Sequence, residues 1–172
     1  MPPFEVPRAW SSRLTLLSGL SPVVSHAAAL CRAARAARRN GSLVLLDFNA
    51  SLYAWAGRDA RTIRSVLGEV DVARCSAADL AVLAMDASSV RAALRPSATL
   101  VVSEPGGGAR VTGPFGDVAY APPGSRGRGA VRKTGAGDRL MAAICHELSA
   151  RPVPGGSAAA MWQRALRRGH EI

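Results

Sequence analysis

Two apolar runs constrain the fold of this chain more than any other feature. Residues 43–48 (LVLLDF) and 99–103 (TLVVS) are each nearly continuous in hydrophobicity, which is typical of strands buried on both faces. Helical patterns separate such runs, as in βαβ units with a mostly parallel sheet. At 172 residues the chain is long enough for one layered α/β domain and too short for two domains of ordinary size.

Turn and cap signals divide the remainder of the chain into short elements. An alanine-rich helix is predicted from Ser21, as N-cap, to the stop signal Asn40-Gly41. The other predicted elements are helices at 59–67, 76–83, 86–94, 140–148 and 157–168, a strand at 70–72, and a hairpin formed by 110–112 and 118–120.

The segment KTGAGD at residues 133–138 is the strongest candidate for a functional site. Its glycines stand just before an apolar stretch, so a loop leading into a helix N-terminus is predicted. Unpaired N–H groups and the helix dipole bind anions there, and glycine lets the backbone approach a phosphate closely. Asp138 would repel that ligand unless it has a role, such as accepting the proton of an attacking hydroxyl. The alternative is a first-turn acid that only favours the helix dipole, by about 0.3–1 kcal/mol.

The charge of the chain indicates an anionic partner, with a net value of +10. Of its 22 basic residues only Lys133 is lysine, and the arginines are scattered instead of forming a stripe, so a nucleic-acid binder is the least favoured of the functions considered. The three cysteines share no CxxC spacing, which argues against a disulfide framework or a zinc site.

Nothing in the sequence predicts a membrane protein. No apolar run reaches the roughly 18 residues that a membrane span needs. The first ten residues contain an acid and several prolines, unlike a signal peptide, so a cytoplasmic location is expected.

The motif Gly135-Ala136-Gly137-Asp138 resembles the GAGD signature of the ribokinase-like (PfkB) family of sugar and nucleoside kinases. The resemblance implies a three-layer α/β fold and transfer of a phosphoryl group from ATP, with Mg²⁺, to a hydroxyl of a small sugar or nucleoside-like substrate. It assigns Asp138 as the catalytic base and the amides of residues 135–137 as the anion hole.

Further segments occur in the order that this family shows. Asp47 and Asn49 are similar to its D-x-N segment, near substrate and phosphates. Ser76 and Asp79 stand at its N-x-x-E position, which implies a weak magnesium site, although the pair is also typical of a helix cap and a first-turn acid. The resemblance further implies nucleotide-binding residues, namely Ser103, Gly106, Gly108, Lys133 and Thr134.

The chain also departs from the family pattern. Arg132 and Lys133 stand where an acid or amide and a small residue are usual, and Ser51 replaces an arginine. The resemblance covers only the C-terminal half of the family's fold, so we assign residues 1–17 to an N-terminal extension and 18–172 to a partial domain without the N-terminal strands and lid. An uncovered sheet edge is then expected, for a protein partner or a second copy to cover.

Three functions follow as hypotheses. The first is an ATP-dependent kinase of a sugar or nucleoside-like hydroxyl, in a degenerate or an active form. The second is a catalytically weak nucleotide-binding or regulatory subunit of a kinase. The third is an arginine-rich nucleic-acid binder.

Overall fold

The computed structural model describes residues 11–19, 23, 25–55, 60–105, 107–122, 135–150 and 157–171. Strands and helices alternate over most of these ranges. The strands are β1 (Leu14–Leu17), β2 (Leu43–Asp47), β3 (Val72–Ser76), β4 (Thr99–Ser103), β5 (Ala109–Gly113) and β6 (Gly116–Tyr120). The helices are α1 (Ala27–Arg39), α2 (Leu52–Trp55), α3 (Arg61–Leu67), α4 (Ala77–Val82), α5 (Ala87–Ala93), α6 (Ala136–Ser149) and α7 (Ala158–Glu171).

One sheet joins the six strands in chain order. Strands β1 to β4 run parallel, while β5 and β6 form an antiparallel hairpin on the far side of β4. The mostly parallel sheet expected from the sequence is therefore confirmed. The predicted strand 99–103 coincides with β4, and the predicted hairpin coincides with β5 and β6.

Helices cover both faces of the sheet, which gives three layers with two cores. Alternate residues of β2 divide between the cores, because successive side chains of a strand point to opposite faces. Leu46 packs in the core that α1 and the short helices cover. Leu45 packs in the second core, where Ile144 of α6 and Leu166 of α7 also lie. The predicted three-layer α/β fold is confirmed.

The boundaries that differ from the sequence prediction include the starts of α1 and β3. Helix α1 has His26 as its N-cap, whereas Ser21, the predicted N-cap, lies outside the described residues. Strand β3 begins at Val72 and continues to Ser76, so the predicted strand 70–72 was placed too early. Asp71 directly precedes this strand, and its carboxylate accepts the N–H of Val44 at 2.9 Å.

Strand β1 lies at one edge of the sheet within the described residues. It belongs to the segment that the sequence assigned to an extension, so the sheet begins at Leu14, inside that segment. Leu16 on this strand is 47% exposed. A partner that covers this edge stays a prediction. The described helices are too short, or not apolar enough, to cross a membrane.

Candidate active site

The carboxyl ends of three parallel strands meet the N-terminus of α6. Asp47 ends β2, Arg74 lies in β3 and Ser103 ends β4. The alternation of each strand places these side chains on the α6 side of the sheet, the side to which Leu45 and Val72 also point. Ligands of open α/β sheets bind at this edge.

Arg74 connects the three strand ends. Its Nη1 donates to Oδ1 of Asp47 at 3.0 Å, and its Nη2 donates to Oγ of Ser103 at 2.9 Å. The side chains of Arg74 and Asp47 are only 8% and 7% exposed. A charged pair this deeply buried depends on its mutual hydrogen bonds, because water cannot replace either partner.

The loop that begins α6 has the backbone that its glycines allow. Gly135 is the N-cap with φ +80°, in the left-handed region that favours glycine, and its carbonyl accepts the N–H of Arg139 at 3.0 Å. The N–H groups of Ala136, Gly137 and Asp138 belong to the first turn, where a helix offers no acceptor. They therefore face the end of the helix as donors for an anion.

Glycine is required at position 137 because the Arg74 side chain approaches its backbone closely. A Cβ atom at this position would lie 2.7 Å from Nη1 of Arg74 and 2.9 Å from Nη2. The guanidinium thus fills the space that any other side chain would need. The signature loop and the buried Asp47–Arg74 pair form one site.

Asp138 is exposed and makes no hydrogen bond or ion pair with another described residue. Asp47, in contrast, is buried, and burial raises the pKa of its carboxyl above its usual range. Arg74 opposes this rise, while the charges of Asp79 and Asp138 add to it. The charge of Asp138 is therefore close enough to affect the Asp47 carboxyl, and of these two acids only Asp138 has no hydrogen-bond partner in the described part of the chain.

The raised pKa of Asp47 predicts how stability depends on pH. The folded protein holds this proton more tightly than the unfolded chain, so the free energy of unfolding falls as the pH rises from about 3.9, the ordinary value, through the higher folded-state pKa. Urea unfolding of the wild type and Asp47→Asn between pH 4 and 7 measures this. The wild type should lose stability relative to the variant as the pH rises. A constant difference between the two would contradict the assignment.

Ser76 and Asp79 form a capping box at the start of α4. Oδ2 of Asp79 accepts the N–H of Ser76 at 2.6 Å and its hydroxyl at 2.7 Å. Oδ1 accepts the N–H of Ala50, in the loop after β2, at 2.7 Å. Both oxygens of this carboxylate are thus engaged within the protein. The magnesium role of the pair stays a prediction, and the observed role is to hold the loop that follows β2.

Removing the Asp79 carboxylate should destabilise the fold. We expect Asp79→Ala to lower the free energy of unfolding by about 2–3 kcal/mol, because the partly buried N–H of Ala50 loses its acceptor along with the cap. Ser89→Ala is the matched control, since Ser89 has the same place in the capping box of α5. Ser89→Ala should lower the free energy of unfolding by less than about 1 kcal/mol, because water can replace the lost hydroxyl. Equal losses in urea unfolding would refute the link to the β2 loop.

The remaining predicted residues are not among the hydrogen-bond partners of Arg74 in the described part of the chain: Asn49 and Gly108 do not bond to Arg74, and the others lie outside the described ranges. Asn49 follows β2 with a positive φ of +36° and an exposed side chain. Gly108 closes a turn in which its carbonyl accepts the N–H of Glu104 at 2.8 Å. Gly106, Lys133 and Thr134 lie outside the described residues. The substrate-binding and nucleotide-binding roles of all these residues stay predictions.

Arg74 is the site residue that sequence reasoning missed. The strand was predicted to end at Val72, which left Arg74 outside it. The available signal was an arginine between apolar neighbours, Ala73 and Cys75, ahead of a capped helix. A charged side chain in a buried strand needs a partner, and that requirement points to a site.

Comparison with solved structures identifies the fold of the chain. Aminoimidazole riboside kinase from Salmonella enterica, complexed with aminoimidazole riboside and an ATP analogue, matches with a TM-score of 0.70 and 21% identity, over 99% of this chain and 56% of that one. Fructokinase with bound ATP from Xylella fastidiosa matches with a TM-score of 0.66 and 15% identity, over 92% and 51%. Adenosine kinase from Trypanosoma brucei brucei matches with a TM-score of 0.64 and 14% identity, over 93% and 51%. The fold is that of the ribokinase-like kinases.

The sequence places the chain more narrowly within this class. The profile of the pfkB family carbohydrate kinases matches residues 6–172, and the chain belongs to this family. Comparison with curated proteins gives no significant match. The chain spans a little over half the length of the Salmonella enterica enzyme, 53% and 56% in two structures of it.

Proposed function

We propose that the chain binds the phosphates of ATP at the N-terminus of α6 and transfers the γ-phosphoryl group to a hydroxyl of a sugar or nucleoside. One observation carries the proposal: a glycine loop whose first-turn N–H groups have no acceptor within their helix lies beside a buried cation and beside Asp138, a carboxylate without a partner among the described residues. Family membership and neighbours that are kinases of a riboside, fructose and adenosine support it.

The residues have distinct roles in this proposal. The Asp138 carboxylate accepts the proton of the acceptor hydroxyl, whose oxygen forms a new bond to the γ-phosphorus. The bond from that phosphorus to the bridging oxygen of ADP breaks, and ADP leaves with the electron pair. The N–H groups of Ala136 and Gly137 donate to the oxygens of the transferring group, where negative charge must be stabilised.

The described residues fit a phosphate better than a magnesium ion. The loop presents N–H donors and a nearby guanidinium, which suit phosphate oxygens. Within the described ranges, no three His, Cys, Asp or Glu side chains cluster as ligands of a metal ion would. Asp47 is bonded to Arg74, and Asp79 is bonded within its capping box. We therefore derive no step through Mg²⁺.

An acceptor panel tests the proposal. ADP formation should be measured with ATP and fructose, ribose, adenosine or aminoimidazole riboside, the panel that the neighbours suggest. The proposal predicts ADP formation that depends on one of these acceptors. Thermal stabilisation by ATP without turnover would support the nucleotide-binding subunit instead. Salt-sensitive binding of DNA or RNA, with no effect of ATP, would support the nucleic-acid binder.

A further inference from the structure

The Arg74 guanidinium lies beside the N-terminal turn of α6, where the loop would hold an anion. The Cα–Cβ bonds of a helix tilt toward its N-terminus, and the free N–H groups of the first turn point the same way. The guanidinium occupies the Cβ direction of Gly137, at 2.7–3.0 Å from the position of that absent atom. It therefore lies beside the end of α6 that presents its donors.

Arg74 has N–H donors that no described residue accepts. A guanidinium carries five N–H donors in a planar fork. One on Nη1 is bonded to Asp47 and one on Nη2 is bonded to Ser103. The buried Nε has no acceptor among the described residues, although Arg74 as a whole is only 6% exposed. Unused donors on a nearly buried cation call for a ligand, since their desolvation is costly.

The charges around the N-terminus of α6 also indicate that Arg74 interacts with an anionic ligand. Asp47 lies against Arg74, and Asp138 lies in the first turn of α6. Both carboxylates oppose the entry of a polyphosphate. The Arg74 guanidinium, which lies against Gly137 of the same turn, offsets part of this repulsion.

We propose that Arg74 is a phosphate-binding residue, which donates to an oxygen of the polyphosphate that the α6 amides hold. Asp47 and Ser103 act as positioning residues that fix the guanidinium fork. The ligand class is a nucleoside triphosphate or another polyphosphate. This inference rests on the phosphate site of the proposed function, and it adds a binding residue that the signature motif does not contain.

The test uses thermal stabilisation of the intact chain by ATP and by inorganic tripolyphosphate. The double variant Asp47→Asn/Arg74→Gln removes the cation without leaving a buried charge unpaired. Its matched control is Asp71→Asn/Arg95→Gln, which neutralises a second ion pair, 2.5 Å apart, between Asp71 before β3 and Arg95 after α5. Arg74→Lys keeps the charge and loses the fork, and it provides a second reading if the double variant does not fold.

We expect each ligand to stabilise the wild type and the control equally. The ligand concentration that gives half of the maximal stabilisation should be at least tenfold higher for the double variant. Arg74→Lys should lie between them, and added salt should weaken the effect in the wild type. Unchanged ligand dependence in the double variant or in Arg74→Lys would overturn the role of Arg74 and leave the proposed function standing. A wild type that neither ligand stabilises would overturn both.

Discussion

Replacing Arg74 with leucine lowers the free energy of unfolding by about 3–5 kcal/mol, measured by urea denaturation at neutral pH. The loss arises because Asp47 stays buried, at 7% side-chain exposure, with its cationic partner removed. A second contribution comes from Ser103, whose hydroxyl loses the Nη2 donor. No other single substitution at the site is expected to cost as much stability.

The matched control for this experiment is Arg95→Leu. Arg95 pairs with Asp71, but the two side chains are 25% and 22% exposed, so water compensates for the lost partner. We expect a cost of about 1 kcal/mol. Adding Asp47→Asn to Arg74→Leu should recover part of the loss, because the unpaired charge is removed. Similar losses in the two single variants would contradict the description of Asp47–Arg74 as a buried pair.

The variant Asp138→Asn should show the largest effect on turnover. We expect its rate of ADP formation, with the active acceptor at saturation, to fall by about 10²–10⁴-fold because an amide cannot accept the hydroxyl proton. Binding of ATP should be unchanged or tighter, since a negative charge leaves the phosphate site. A lower rate together with unchanged or tighter ATP binding is the result expected for a catalytic base.

Asp117→Asn is the control for that substitution. Asp117 is an exposed acid on β6, and its neutralisation changes the net charge by the same amount. It should leave both rate and affinity as in the wild type. An Asp138→Asn variant that turns over at the wild-type rate would exclude Asp138 as the base, whatever its effect on binding.

The parts of the fold predicted correctly from sequence are those with local signals. The apolar run 99–103, between polar turns, predicts β4 to the residue. Gly135 and Gly137 before an apolar stretch predict a loop followed by the helix 140–148, and α6 begins four residues earlier, at Ala136. Asp86 likewise marks the start of α5 through its capping box.

The misplaced strand and the missed arginine have a common cause. Arg74 interrupts the apolar pattern of β3, so local periodicity ended that strand too early. Its partner, Asp47, is 27 residues away in the sequence, and the two meet only through the register of β2 and β3. A pattern within one segment contains no information about that register. The centre of the candidate site therefore became visible only in three dimensions.

Calorimetric titration with ATP, on the wild type, Gly137→Ala and Gly68→Ala, tests the central claim most directly. A Cβ at Gly68 meets no atom within 4 Å and its φ is −66°, whereas one at Gly137 would collide with Arg74. If the α6 loop and Arg74 bind phosphate, ATP should bind saturably to the wild type and to Gly68→Ala. Its affinity for Gly137→Ala should be at least roughly tenfold weaker, which is a loss of about 1.4 kcal/mol of binding free energy. Equal affinity in all three proteins, or no binding to the wild type, would contradict it.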